Sequence, residues 1–282
     1  MSQPQPILPP PPGPGNAVIS VIDDLQQHLL RPADGLAYIH RIRVDIKRLR
    51  AWLHMVRKDA RFEWRSYNRR LRDMSRQLSP SRDSQAILDT LAWLQKKADA
   101  EQRQALERLR SCMRFDLGGE RIDWHAVKQP LAQEVEALRG PAAELDTEDV
   151  LHRGLKSCYK RAVREGRRAF GRDGTMEDLH ELRKWVKYLY YQLDYVCKTR
   201  TGGYGKDRDR FDELGDKLGR IHDLELVSKK VTQLATREEC TADAALAVAL
   251  IDRRMDKLKQ RCRGLYEKGF RLSPSKFMRR FA

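Results

Sequence analysis

Beyond residue 16, long stretches rich in Leu, Arg, Ala, Glu and Lys place apolar residues three and four positions apart, the period of helices with one buried face. No stretch alternates apolar and polar residues strongly enough to suggest a strand. The pattern therefore predicts an all-α protein. Breakers divide its helices at Arg31-Pro32-Ala33-Asp34-Gly35, Ser79-Pro80-Ser81, Gly118-Gly119, Gly140-Pro141, Gly171-Arg172-Asp173-Gly174, Thr201-Gly202-Gly203 and Ser273-Pro274. Residues 1–16 read differently. Seven of the first 14 residues are Pro, and Pro9 to Pro12 lack the backbone donors that helices and sheets use, which predicts a disordered tail.

The helical text repeats itself at a constant offset. His40 and His180 stand 140 residues apart, as do Asp83 and Asp223. Residues His40 to Leu49 and His180 to Leu189 share the pattern H-x-x-R-x-x-x-K-x-L. The apolar framework repeats too, with Ile42, Ile46, Leu49, Leu53 and Val56 matched in order by Leu182, Val186, Leu189, Leu193 and Val196. Without a change of offset, Leu78-Ser79-Pro80-Ser81-Arg82-Asp83 then aligns with Leu218-Gly219-Arg220-Ile221-His222-Asp223. An internal duplication explains this register better than chance. It divides residues 17–282 into halves of about 17–140 and 141–282.

Charge sharpens the picture. The 282 residues hold 56 Lys and Arg against 40 Asp and Glu, a formal net charge of +16, and residues 31–82 alone hold 15 against five. On the first motif helix, His40, Arg43, Lys47, Arg50 and His54 share an arc of roughly 80° opposite the apolar set. His180, Arg183, Lys184 and Lys187 form a similar arc in the second copy. Arg65, Arg69, Arg72 and Arg76 make a third stripe, and Arg153, Lys156, Lys160, Arg164 and Arg167 a fourth. One such stripe is ordinarily a solvated face. Four of them, seldom interleaved with Glu, point to a polyanionic partner that relieves their mutual repulsion. Asp83 and Asp223 are either helix-start acids or acceptors that orient a basic side chain from a neighbouring helix, with Arg82 and His222 beside them in the same set.

Other classes of function find little support. The longest apolar run, Ala244 to Ile251, is far shorter than the roughly 20 residues that span a bilayer, and the cationic faces lack flanking Trp, Phe and Leu for a membrane surface. No secretory leader is visible. The five cysteines, Cys112, Cys158, Cys197, Cys240 and Cys262, form no Cys-x-x-Cys pair and read as reduced thiols of a cytoplasmic protein. His180-Glu181 meets Lys184 where a zincin needs its second His, and Gly202 to Lys206 lacks the spacing of a phosphate-binding P-loop, so it reads as an interhelical loop. A metal bound by the repeated histidines is disfavoured by the cations around them. Neither a cofactor nor a catalytic residue is predicted.

The duplicated helix, each copy followed by an L-x-x-x-x-D segment, resembles the CHAD family, the conserved histidine α-helical domain. The resemblance covers roughly residues 17–282, with Ser79 standing where the family's turn usually has Gly. It implies two tandem helical bundles related by a pseudo-two-fold around a basic groove or pore, which bind inorganic polyphosphate; the family often joins this domain to a triphosphate-processing CYTH domain, but the 16-residue tail suggests a stand-alone module here. The ligands it implies are His40, Arg43, Lys47 and Arg50 with His180, Arg183, Lys184 and Lys187. His54, Arg69, Arg72, Arg76, Lys160 and Arg164 extend that set along the basic stripes. Elementary chemistry agrees, since a polyphosphate has no bases to read and asks only for a track of cations, with Arg gripping oxygens bidentately and Lys acting as a point charge. The protein is thus expected to be a binding module that targets or organises cytoplasmic polyphosphate granules. Nucleic-acid binding, and a phosphatase or phosphotransferase using the repeated His, are the rivals.

Overall fold

The structure is a computed structural model that describes residues 14–31, 35–59, 62–78, 80–116, 123–145, 148–199 and 204–281. Among these there is no strand. The helices are α1 (Pro14–Leu30), α2 (Gly35–Val56), α3 (Trp64–Gln77), α4 (Pro80–Gln95), α5 (Ala100–Asp116), α6 (Trp124–Ala137), α7 (Arg139–Glu144), α8 (Glu148–Ala169), α9 (Met176–Thr199), α10 (Gly205–Leu234), α11 (Thr241–Gly269) and α12 (Pro274–Met278). No described helix is long and apolar enough to cross a membrane. The predicted disordered tail lies outside the described residues up to 13, whereas residues 14–16 already belong to α1.

Helix ends follow local chemistry. Thr175 and Asp178 cap α9 reciprocally, Asp178 N–H donating to Thr175 Oγ1 at 3.2 Å and Thr175 N–H to Asp178 Oδ2 at 3.1 Å. Asp99 and Gln102 do the same for α5, and Asp123 accepts from the Ala126 N–H at the start of α6. Breaks at 57–63, 96–99 and 235–240 contain neither Gly nor Pro, so the sequence reading passed over them. The break read at Gly140-Pro141 falls at Leu138, between α6 and α7, with Gly140-Pro141 in the first turn of α7, where a missing N–H is harmless.

The 140-residue offset carries residues 35–56 onto 175–196, which start one residue before α9, and residues 64–95 onto 204–235, which are α10 with one residue at each end. One difference is decisive for the site. Pro80 ends α3 and opens α4, but its counterpart Arg220 leaves the backbone free to continue, so α10 is a single 30-residue helix. Gly219 weakens that helix, by about 1 kcal/mol for an interior Gly, without breaking it.

Three buried clusters hold the fold. The first joins α1 and α2 to α6 and α7 through Val18, Ile22, Leu25, Ile42, Ile46, Leu49 and Leu131. The second joins α8, α9, the first half of α10 and α12 through Leu155, Tyr159, Leu182, Leu189, Phe211 and Phe277. In the third, Leu91, Leu94, Leu106 and Leu109 of α4 and α5 meet Leu224, Val227, Val231 and Leu250 of α10 and α11. The halves therefore do not form separate tandem cores, because the apolar faces of α4 and α5 find their partners beyond residue 140. Across the seam Gln192 Nε2 donates to the Ala51 carbonyl at 2.9 Å, fixing α9 against α2.

Candidate anion-binding site

Where α2, α9 and α10 meet they enclose a cavity of about 590 Å³. His40, Arg43 and Lys47 enter it from the first motif copy, and Arg183 and Lys187 from the second. Residues 140 apart in the sequence thus share one wall-to-wall space. Arg220, His222, Asp212, Asp216 and Asp223 line it from α10, and Tyr190 and Tyr191 from α9.

The glycines of α10 shape this space. A Cβ on Gly215 would fall 2.8 Å from Lys187 Cε, and one on Gly219 would fall 3.5 Å from Arg183 Nε, so the two basic side chains lie across a strip of bare helix. Lys187 Nζ is held between Asp212 at 3.0 Å and Asp216 at 2.7 Å. Arg43 Nη1 donates to the Ser75 carbonyl at 2.6 Å, in the last turn of α3. Five Arg and Lys side chains against three Asp leave the cavity net cationic, and the carboxylates orient the cations rather than cancel them. Such a surface suits a multiply charged anion: three guanidinium groups, two ammoniums and room for several oxygens.

His180 behaves otherwise than its motif suggests. Its Nε2 lies 2.8 Å from Glu225 Oε2 and 2.9 Å from His222 Nδ1, and it is His222 that lines the cavity. Burial, reinforced by Arg183, pushes the His222 pKa down to about 4, so near neutrality it is an uncharged imidazole with one proton to donate. Ligand atoms of His180, His222 and Glu225 all lie within 4.8 Å, a donor set that suits a divalent transition metal. Lys229 Nζ already takes Glu225 Oε1 at 2.7 Å, and Arg183 stands beside His222, which opposes a dication there.

Several residues on the basic stripes lie away from the cavity. Arg50 spends its guanidinium on Asn68 Oδ1 at 3.0 Å and the Tyr188 hydroxyl at 3.1 Å. His54 is packed among Trp64, Trp185 and Tyr188, with ring centroids 5.2, 5.4 and 4.4 Å away. The far end of the α2 polar face is turned into the seam with α9, where aromatic packing replaces anion binding. On α3, Arg72 and Arg76 share Asp73 and Arg69 points to solvent. On α8, Arg164 pairs with buried Glu165 at 3.2 Å and Lys160 is exposed. Lys184 pairs with Glu181 on its own helix. Asp223 sits in the middle of α10, so it is no helix cap, and it lines the cavity. Arg82 and Asp83 occupy the first turn of α4, and their side chains lie outside the described residues.

His54 supplies a pH test. Burial first, then Arg57, Arg50 and Lys184, push its pKa down from 6.5 to about 3. Below pH 6.5 the unfolded chain takes up a proton that the folded chain refuses, so stability contributed by neutral His54 falls as pH drops from 6.5 to 3. His54→Phe removes this slope. Urea unfolding at pH 7, 5 and 3.5 should show the variant gaining on the parent by on the order of 4 kcal/mol at the acid end; a difference independent of pH would refute the assignment.

Asp212, Asp216, Gly215, Gly219 and Arg220 were missed as site residues, although a signal was present. Asp212-Glu213-Leu214-Gly215 is followed at once by Asp216-Lys217-Leu218-Gly219, a D-x-L-G tetrad written twice. At helical spacing it puts two carboxylates on one strip and two glycines on the next.

The fold is all-α, with a net cationic cavity lined from two helices that carry the same sequence motif. The sequence matches the CHAD domain family over residues 16–232, and the chain belongs to that family. A comparison with curated proteins finds no match. Among solved structures, the crystal structure of the CHAD domain from the plant Ricinus communis is similar, with a TM-score of 0.66 and 16% identity over 95% of each chain. That likeness is one of fold.

Proposed function

We propose that this protein binds inorganic polyphosphate, with the α2–α9–α10 cavity as the primary site and a pseudo-two-fold relation between the halves as its origin. The observation that carries the reading is the convergence of both H-x-x-R-x-x-x-K helices on one cavity, through His40, Arg43, Lys47, Arg183 and Lys187. CHAD domains are linked to polyphosphate binding as a family, and a linear phosphate polymer matches a cavity rich in Arg and Lys. We further propose that the protein gathers the polymer, at granules in the cytoplasm, rather than turning it over.

Binding isotherms test this reading. Affinity should rise with chain length and fall steeply with salt. If the five cavity cations are neutralised, the slope of log K against log salt should be about −3.5, using the single-strand coefficient of roughly 0.7 per contact. Single-stranded RNA or duplex DNA that displaces polyphosphate at equal phosphate concentration would favour the nucleic-acid reading instead. Release of orthophosphate in the presence of Mg²⁺ or Mn²⁺ would make the protein an enzyme.

A further inference from the structure

A second basic hollow lies away from the motif helices. Between the C-terminal end of α4 and the middle of α11, a cleft of about 570 Å³ is walled by Trp93, Lys97, Arg254, Lys257 and Arg261. A smaller hollow of about 250 Å³ adjoins it, sharing Lys97, Arg254 and Lys257 and adding Arg253 and Asp99. On α11, positions 254, 257 and 261 follow one another at three- and four-residue steps, so their cations run about 10 Å along a single face. Arg254 Nη2 donates to the Lys97 carbonyl at 2.6 Å and ties that face to the end of α4.

Among the described residues, cations without a carboxylate partner occur singly elsewhere, as at Arg69 of α3 and Lys160 of α8, but this cleft gathers several of them around one hollow. In the central cavity Lys187 is clasped by two aspartates. On α3 Arg70 takes Glu134, while Arg72 and Arg76 share Asp73. On α8 Arg161, Arg164 and Arg168 all reach buried Glu165. Among the described residues, no carboxylate lies within ion-pair distance of Lys97, Arg253, Arg254, Lys257 or Arg261. Like charges at these spacings repel by a few tenths of a kcal/mol per pair, and an anion bound in the cleft would relieve them.

One side-chain contact links the cleft to the central cavity. Arg220, which lines that cavity, lays its guanidinium over the Trp93 ring at 5.1 Å, and Trp93 is a wall of the cleft. One cation thus stands at the junction, held there by an aromatic face. Arg253, Arg254, Lys257 and Arg261 all lie on α11, beyond residue 232, where the family match ends.

From these observations we infer that the α4–α11 cleft is a second anion subsite, which takes the continuing length of a polyphosphate chain after it leaves the central cavity past Arg220 and Trp93. This rests on the polyphosphate reading proposed above. The occupant is an extended chain of phosphates, because the cleft offers a row of cations at regular spacing, and Arg220 covers a face of Trp93 on which a base would otherwise stack.

The test uses tripolyphosphate and polyphosphate of about 100 units as probes, over a range of salt concentrations. Lys257 and Arg261 are exposed and make no described contact that holds the fold, so Lys257→Gln/Arg261→Gln should keep native helicity and melting temperature. In this variant tripolyphosphate affinity should stay within about twofold, whereas long-chain affinity falls about tenfold and its salt slope shrinks by about 1.4. Long-chain binding with native affinity and slope would overturn the inference and leave the polyphosphate reading intact. Equal loss for both probes would overturn it as well, since the effect would then be one of general charge. If neither probe binds the parent protein, the polyphosphate reading itself fails and the subsite with it. A variant that loses RNA affinity but keeps long-chain polyphosphate would reassign the cleft to nucleic acid.

Discussion

Reversing Arg43 and Arg183 together, in Arg43→Glu/Arg183→Glu, should weaken polyphosphate binding by more than a hundredfold. These residues are the third positions after the motif histidines, one from each copy, and both open into the same cavity. A charge-assisted hydrogen bond contributes about 1.5–3 kcal/mol, so loss of two such donors alone approaches that factor, and two carboxylates then repel what the arginines attracted. Arg43 also donates to the Ser75 carbonyl, so a charge-preserving variant, Arg43→Lys, separates the tether from the charge. It should retain most affinity if charge dominates. The control that locates the site is Arg69→Glu/Arg76→Glu, which changes net charge equally on the exposed stripe of α3, outside the cavity. It should cost no more than about threefold at physiological salt, because the cavity's own cations stay in place and exposed surface charges are screened. Circular dichroism should show native helicity for all three variants. Equal losses in the two double variants would move the site from the cavity to the surface stripes.

The contrast between these variants marks how far the sequence could be read. Periodicity identified the helices because each buries one apolar face, and the constant offset identified α2 and α9 as counterparts. Arg43, Lys47, Arg183 and Lys187 follow from that pairing. Arg50 and His54 sit on the same helical arc as Arg43, yet they meet Asn68, Tyr188, Trp64 and Trp185 instead of the cavity. A helical wheel assigns a direction but does not say what lies there. The far end of α2 faces the aromatic residues of α9, and this depends on where α9 lies. Gly219 shows the opposite error. Aligned with Ser79, it falls in the segment that the resemblance to the CHAD family reads as a turn. The counterpart of Pro80 in the second copy is Arg220, so the helix continues, and the glycine lies beside the Arg183 guanidinium at a distance where a Cβ would make ordinary contact. Breaks without Gly or Pro, such as 96–99, were legible only through a capping pair, Asp99 with Gln102, that was not sought.

Gly154→Ala should destabilise the protein by about 3–5 kcal/mol, lowering the melting temperature by about 10 °C. A Cβ at this position on α8 would stand 2.1 Å from the Met55 carbonyl oxygen, 2.7 Å from its carbon and 2.8 Å from its Cα. All three atoms are backbone, so no rotamer change relieves the clash, and α8 or the last turn of α2 must move. Both are tightly held. The Ala51 carbonyl accepts from buried Gln192, and Cys158, one turn beyond Gly154, is buried deeply enough for its thiol pKa to be pushed up to about 12. Displacing α8 therefore disturbs the α2–α9 spacing on which the cavity depends, and anion affinity should fall along with stability. Gly264→Ala provides the opposite sign. A Cβ there meets nothing within 4 Å, in the interior of α11, so the same substitution should stabilise by about 0.5–1 kcal/mol through helix propensity. Urea unfolding of the two variants in parallel separates close helix approach from the intrinsic effect of Gly. If Gly154→Ala costs less than about 1 kcal/mol, α8 does not rest on the α2 backbone as closely as the fold requires.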